Sequence, residues 1–183
     1  MQQISTKEKA GMIGRHILRE HPAGTVAHLN ALIADGKKDE ALAIIKGGKV
    51  VMDRENLIMQ AANYGKDIII QRLCGVNTYS LNILWGEIGT SQTAPAITDT
   101  ALGAPIARTA VALAVDNGYN TAQLQFFFPD STLTNVTYYE AGTFVDGSSS
   151  IGSGQIFNHA LFSVGYTKAA GTDITYEMDL TIN

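Results

Sequence analysis

A single cysteine, Cys74, occurs in the 183 residues, so no disulfide can form within the chain. At the end of an apolar stretch it reads as a small core residue. Charged residues make up 16%, well below the usual quarter, and no run of apolar residues approaches the ~18 of a membrane-spanning helix. The opening "MQQISTKEKAGMIGRH" lacks the apolar centre of a secretory signal, so none is expected. There is no G-x-S-x-G elbow and no G-K-[ST] phosphate loop. Four histidines are present, His16, His21, His28 and His159, and the first two are five apart, which misses the spacing of helical metal ligands. His159, beside Asn158, reads as a hydrogen-bonded structural histidine. No catalytic residue, cofactor or metal site is predicted.

Apolar residues at 45% supply enough material for a core. Charge is divided unevenly. Residues 1–75 hold 11 basic and 8 acidic groups, whereas residues 76–183 hold 2 and 9, which suggests two units meeting near Gly75. The second half has too few basic residues for nucleic acid, and no membrane partner is expected.

The first unit reads as helical. "STKE" (Ser5–Glu8) has capping-box spacing, Met12, Ile13 and Ile17 follow at helical intervals, and Pro22 stops that segment. Val26, Leu29, Leu32 and Ile33 predict a second helix ending at Gly36; Ala41, Leu42, Ile44 and Ile45 predict a third before Gly47–Gly48, followed by a short extended "KVVM". Residues 1–52 are therefore taken as a helical docking segment. The stripe Leu57, Ile58, Ala61, Ala62, Ile68, Ile69 and Leu73 predicts a long helix over 53–75, capped by Asp53.

From Asn77 the period falls to two. "YSLNILWGEIG", "IARTAVALAV", "TAQLQFFF", "LTNVTYYEAGTF", "QIFNHALFSVGY" and "DITYEMDLTIN" read as strands joined by turns such as "DNGY" and by a mobile Gly/Ser tip, "DGSSSIGSG". The expected fold is therefore α+β: the helical segment, then an antiparallel β-sandwich over 76–183, jelly-roll or Ig-like. On the last strand Ile174, Tyr176, Met178, Leu180 and Ile182 face one way. Asp173, Thr175, Glu177 and Asp179 form a wet outer face, with calcium binding at Asp173, Glu177 and Asp179 as a rival reading; a glycosidase carboxylate pair among the nine acids of residues 76–183 is a further one, with no two of them singled out.

Contact residues are chosen on two grounds. Leu57, Ala61 and Gly65 lie on the small-residue face of the long helix. Phe127 and one of Tyr138 and Tyr139 should point outward from their strands.

The segment from Asp53 to Arg108 carries Asn56–Ile58, Gly65–Lys66, Gly89–Thr90, Thr93–Pro95, Asp99–Gly103 and Arg108. It resembles a module of tailed-bacteriophage structural proteins: an N-L-I helix, a strand, the loop G-T-x-x-T-A-P-x-x-x-D-T-x-L-G and an Arg. Many members have a second glycine where this chain has Ser91. Physically, 88–108 reads as an ordered loop wrapping the β-domain, with Asp99 closing a turn on the Thr100 or Ala101 amide. The resemblance implies a non-enzymatic virion component of neck, baseplate or head decoration, assembled in a host cytoplasm, self-associating and docked on other virion proteins. The rival reading is a carbohydrate-binding or adhesin module using Phe127, Tyr138, Tyr139 or Trp85.

Overall fold

Period-two alternation extends through far more of the chain than residues 76–183. The computed structural model describes residues 11–182. Eight antiparallel strands, β1 (Met12–Pro22), β2 (Lys49–Ile58), β3 (Ile83–Gly89), β4 (Pro105–Asp116), β5 (Thr121–Phe128), β6 (Thr137–Val145), β7 (Gln155–Thr167) and β8 (Thr172–Ile182), close into a barrel in the order β1-β2-β7-β6-β3-β4-β5-β8. Helices α1 (Thr25–Ala34) and α2 (Lys38–Gly47) form a hairpin between β1 and β2, and α3 (Lys66–Leu73) follows β2.

The expected helical segment followed by a sandwich is overturned. Met12, Ile13 and Ile17 belong to β1, which pairs with β8 over eleven residues, from Met12↔Ile182 to Pro22↔Thr172, and with β2 on its other side. Three apolar residues at helical spacing cannot outweigh two hydrogen-bonded neighbours. The capping box Ser5–Glu8 lies outside the described residues.

The long helix over 53–75 is overturned as well. Asp53–Ile58 continue β2, and only Lys66–Leu73 are helical. Between them Asn63 and Gly65 take positive φ, 70° and 49°, which ends any helix running through. The division at residue 75 therefore does not separate two units, because the barrel takes strands from both sides of it. The two helices expected over 25–36 and 37–48 are present as α1 and α2.

Two strands turn the corners. Residues 107–110 of β4 pair with β3 and residues 111–116 with β5, while β2 pairs with β1 over 49–56 and with β7 only at Leu57 and Ile58. The barrel is filled by Leu18, Met52, Phe126, Phe128, Tyr138, Phe157, Tyr176 and Met178 among others. Outside it, Val26, Leu29, Leu32, Ala41 and Ile45 of the α1–α2 hairpin pack on Phe127.

Closure changes the fate of the acidic face of β8. Glu177 is buried and paired with Arg19 at 3.1 Å, and it accepts from Gln125 Nε2 at 2.6 Å. Asp173 accepts the backbone amides of Val26 and Asp130, both at 2.8 Å, which caps the first turn of α1 from another strand. The wet outer face expected for this strand is largely a buried polar layer.

One buried ring gives the fold an acid limit. His16 is fully enclosed and stacks on Tyr176, which stacks in turn on Phe126. The His16 Nδ1 lies 2.6 Å from the Tyr176 hydroxyl, and its Nε2 meets the Asn56 side-chain amide. Burial, then the charge of His159, push His16 down to about 3 from an ordinary 6.5. Between those values the unfolded chain binds a proton that the folded chain refuses. Stability therefore falls as pH drops, by about 1.4 kcal/mol per unit. Between pH 6.5 and about 4.5 this group is expected to cost about 2 kcal/mol. Urea midpoints over that range should decline less in His16→Gln than in the parent; equal slopes would refute the assignment.

Candidate functional site

The loop from Thr90 to Ala104 joins β3 to β4, and the groups that hold it converge on one carboxylate. Glu140, on β6, is buried with none of its surface exposed. Its Oε1 accepts the amides of Ser91 at 3.2 Å and Ala104 at 2.7 Å, and its Oε2 accepts that of Gly103 at 2.9 Å and faces His159 Nε2 at 3.0 Å. Burial pushes this carboxyl up, but the His159 contact and the amides outweigh it and hold the group below its ordinary value.

His159, on β7, carries the chain of contacts onward. Its Nδ1 faces Asp99 Oδ2 at 2.9 Å, and that oxygen also accepts the Ala96 amide at 2.9 Å. Asp99 does close a turn, but on Ala96 rather than on Thr100 or Ala101. The far end of the loop is tied by the Gln60 amide to Ile97 O at 2.8 Å and the Thr90 amide to Ala104 O at 3.0 Å. Leu102 is buried with Met59, Phe144 and Ile156.

The glycines of the loop permit this approach. A Cβ on Gly89 would lie 2.4 Å from Glu140 Oε1 and 2.5 Å from Ala104 O; one on Gly103 would lie 2.5 Å from Ser91 Oγ. Neither position can carry a side chain while the loop stays closed around Glu140.

Beside His159 the barrel seam opens. Beyond the rungs Leu57↔His159 and Ile58↔Asn158, β2 and β7 diverge around a cleft of about 440 Å³ lined by Arg54, Asn56, Pro95, His159, Leu161 and Ser163. A smaller cavity of about 90 Å³ lies under the loop, between Ser91, Thr93, Asp99 and His159. Among the described residues, no group of three or more His, Cys, Asp or Glu is placed to hold a metal ion, and no helix is long and apolar enough to cross a membrane.

A second ion pair fixes the tip between β6 and β7. Arg108 donates to Glu87 Oε1 at 2.5 Å, to Ser148 O at 2.9 Å and to Ser153 O at 2.6 Å. Its guanidinium sits 5.0 Å from the Trp85 ring centre and 4.8 Å from that of Phe144. The Gly152 amide also donates to Glu87, at 2.6 Å. The Gly/Ser tip expected to be mobile is instead tied down from both sides.

The contact residues chosen from sequence scatter. Phe127 does leave the barrel, but under the α1–α2 hairpin, where it is 4% exposed. Tyr138 points into the core and donates to Thr134 O at 2.9 Å; Tyr139 is half-buried over Gly165. Leu57 is the strand partner of His159, and Ala61 lies in the turn after β2. Gly65 precedes α3 at φ 49°, where a Cβ would meet Met59 O at 2.2 Å. Gly65→Ala is therefore expected to cost at least about 2 kcal/mol in chemical denaturation. A neutral result would mean that this turn relaxes freely. Cys74 is exposed, not a core residue.

Glu140 was missed in the sequence because a lone acid between apolar neighbours carries no mark of its partners. Gly103 and Arg108 stood in the quoted loop without their roles, and Asp99 stood there with its turn placed on other amides and without its contact to His159. No family model, curated protein or solved structure matches the chain.

Proposed function

We propose that the chain is a non-enzymatic structural component of a tailed-bacteriophage particle, of the neck, baseplate or head-decoration class. The observation that carries this reading is the loop that bears the resemblance. Gly89, Asp99, Leu102, Gly103 and Arg108 each have a mechanical role, as spacing, latch, plug, amide donor and tip anchor. The chemistry-bearing side chains Glu140, His159, Glu87 and Arg108 are engaged in holding loops to a barrel wall, which is what an assembly part requires.

Docking on other virion proteins does not use the apolar faces of α1 and α2, which the barrel covers. The exposed apolar residues of α3 (Ile70, Leu73), of the link that follows it (Val76, Leu81) and of β3 (Leu84) are the surface offered for self-association or for a neighbouring virion protein. A carbohydrate-binding role is the weaker reading, because Phe127 and Tyr138 are buried and Trp85 lies against Arg108.

Peptide mass spectrometry and density maps of particles purified from the host that encodes the chain test the proposal. The chain should be present at a copy number fixed by particle symmetry. Its absence from washed particles would remove the reading.

A further inference from the structure

His159 holds two carboxylates with two nitrogens, and that arrangement has a direction. Glu140 Oε2 and Asp99 Oδ2 each already accept a backbone amide, from Gly103 and Ala96. Both are therefore acceptors toward the ring, and both contacts are hydrogen bonds only when each ring nitrogen bears a proton. The other charged groups around the ring are Arg54 and Glu55 on β2, which line the same cleft, and His16 on β1, whose titration feels the charge of His159.

We propose that Asp99–His159–Glu140 is a proton-operated latch on the 90–104 loop, closed when His159 is doubly protonated and released at Asp99 when it loses a proton. This stands apart from any role in a virion. The two ends of the latch are unequal. Glu140 is enclosed and held by three loop amides, whereas the Asp99 side chain is 29% exposed. A singly protonated ring keeps its Nε2–H on Glu140 and turns a lone pair toward Asp99. That carboxylate then moves into water and takes its hold on the Ala96 turn with it. Ala94 and His159 border both the small cavity and the seam cleft, so release of the loop merges the two spaces. The pairing of His159 with Leu57 places this event on the last closed rungs of the barrel seam.

Asp99→Asn separates a latch from a merely structural contact. The introduced side-chain amide can donate from its nitrogen to an unprotonated Nδ1 while Nε2–H stays on Glu140, so a neutral ring satisfies every partner. Limited proteolysis of the loop at about pH 6 and about pH 10, scaled to an unfolded control peptide, reads the open population. Wild-type cleavage between residues 92 and 98 should rise by about tenfold on raising the pH, the equivalent of one charge-assisted hydrogen bond. The Asp99→Asn protein should show no such rise. Imidazole ¹⁵N shifts of the wild-type protein should report two protonated nitrogens in the closed state. Equal wild-type cleavage at both pH values, a rise in Asp99→Asn equal to that of wild type, or a singly protonated ring while the loop is closed would each overturn the proposal. If Asp99→Asn does not fold, the wild-type cleavage profile and the ring shifts decide it.

Discussion

Glu140→Ala is expected to lower unfolding free energy by about 5 kcal/mol, the largest single loss among the loop anchors. The carboxylate accepts from three backbone amides and faces an imidazole, all away from water. Truncation strands four donors at once, and stranding a buried charge partner alone costs about 3–5 kcal/mol. Glu140→Gln keeps the shape but offers one acceptor oxygen in place of two, and its amide hydrogens face donors; about 3 kcal/mol is expected. Urea denaturation at neutral pH measures both. The loop should also become protease-sensitive under conditions where the barrel remains folded, because β3 and β4 keep their own ladder from Trp85↔Ala110 to Gly89↔Pro105. A loss below about 1 kcal/mol would show that water replaces Glu140, and the anchored-loop account would fail.

The carboxyl of Glu140 also sets a pH window for the loop. Its native value lies below the ordinary one, so the stability it confers is present above the ordinary carboxylate range and is lost as pH falls through the depressed value.

The strands from β3 to β8 were legible in the sequence because alternation there matches what closure buries: Ile174, Tyr176 and Met178 inward, with Phe126 and Phe128 opposite them across β5. β1 and the first half of the expected long helix were not legible. His16 and Arg19 are polar residues at buried positions, so the period-two pattern is broken where a ring and an ion pair replace apolar side chains. Ile58 and Ile68 fitted a helical stripe by coincidence, and the break between them was written in "NYG", whose Asn63 and Gly65 adopt positive φ. The loop was legible as ordered, but its anchors were not, since Glu140 and His159 lie 36 or more residues beyond the loop that they hold. Pairings over that distance are fixed by barrel closure, which no local pattern records.

Arg108 offers the sharpest test of that closure. Its guanidinium lies over the rings of both Trp85 and Phe144 and reaches Glu87 and two carbonyls of the tip, and its side chain is 1% exposed. Arg108→Met preserves much of the stem packing but leaves Glu87 buried with only the Gly152 amide, and should cost about 4 kcal/mol. Lysine cannot reproduce a flat ion that donates in three directions while contacting two rings, so Arg108→Lys should cost about 2 kcal/mol or more. The paired change Arg108→Met with Glu87→Gln should recover at least about 1.5 kcal/mol of the single loss, because the stranded charge is gone. The tip should stay loosened in the paired variant, since Ser148 and Ser153 still lack their donor. Amide exchange across residues 146–154, read beside the urea midpoint, distinguishes the two effects. If the paired variant is no more stable than Arg108→Met, the buried charge is not the origin of the loss, and the stacked guanidinium itself must hold the β3–β6 wall together.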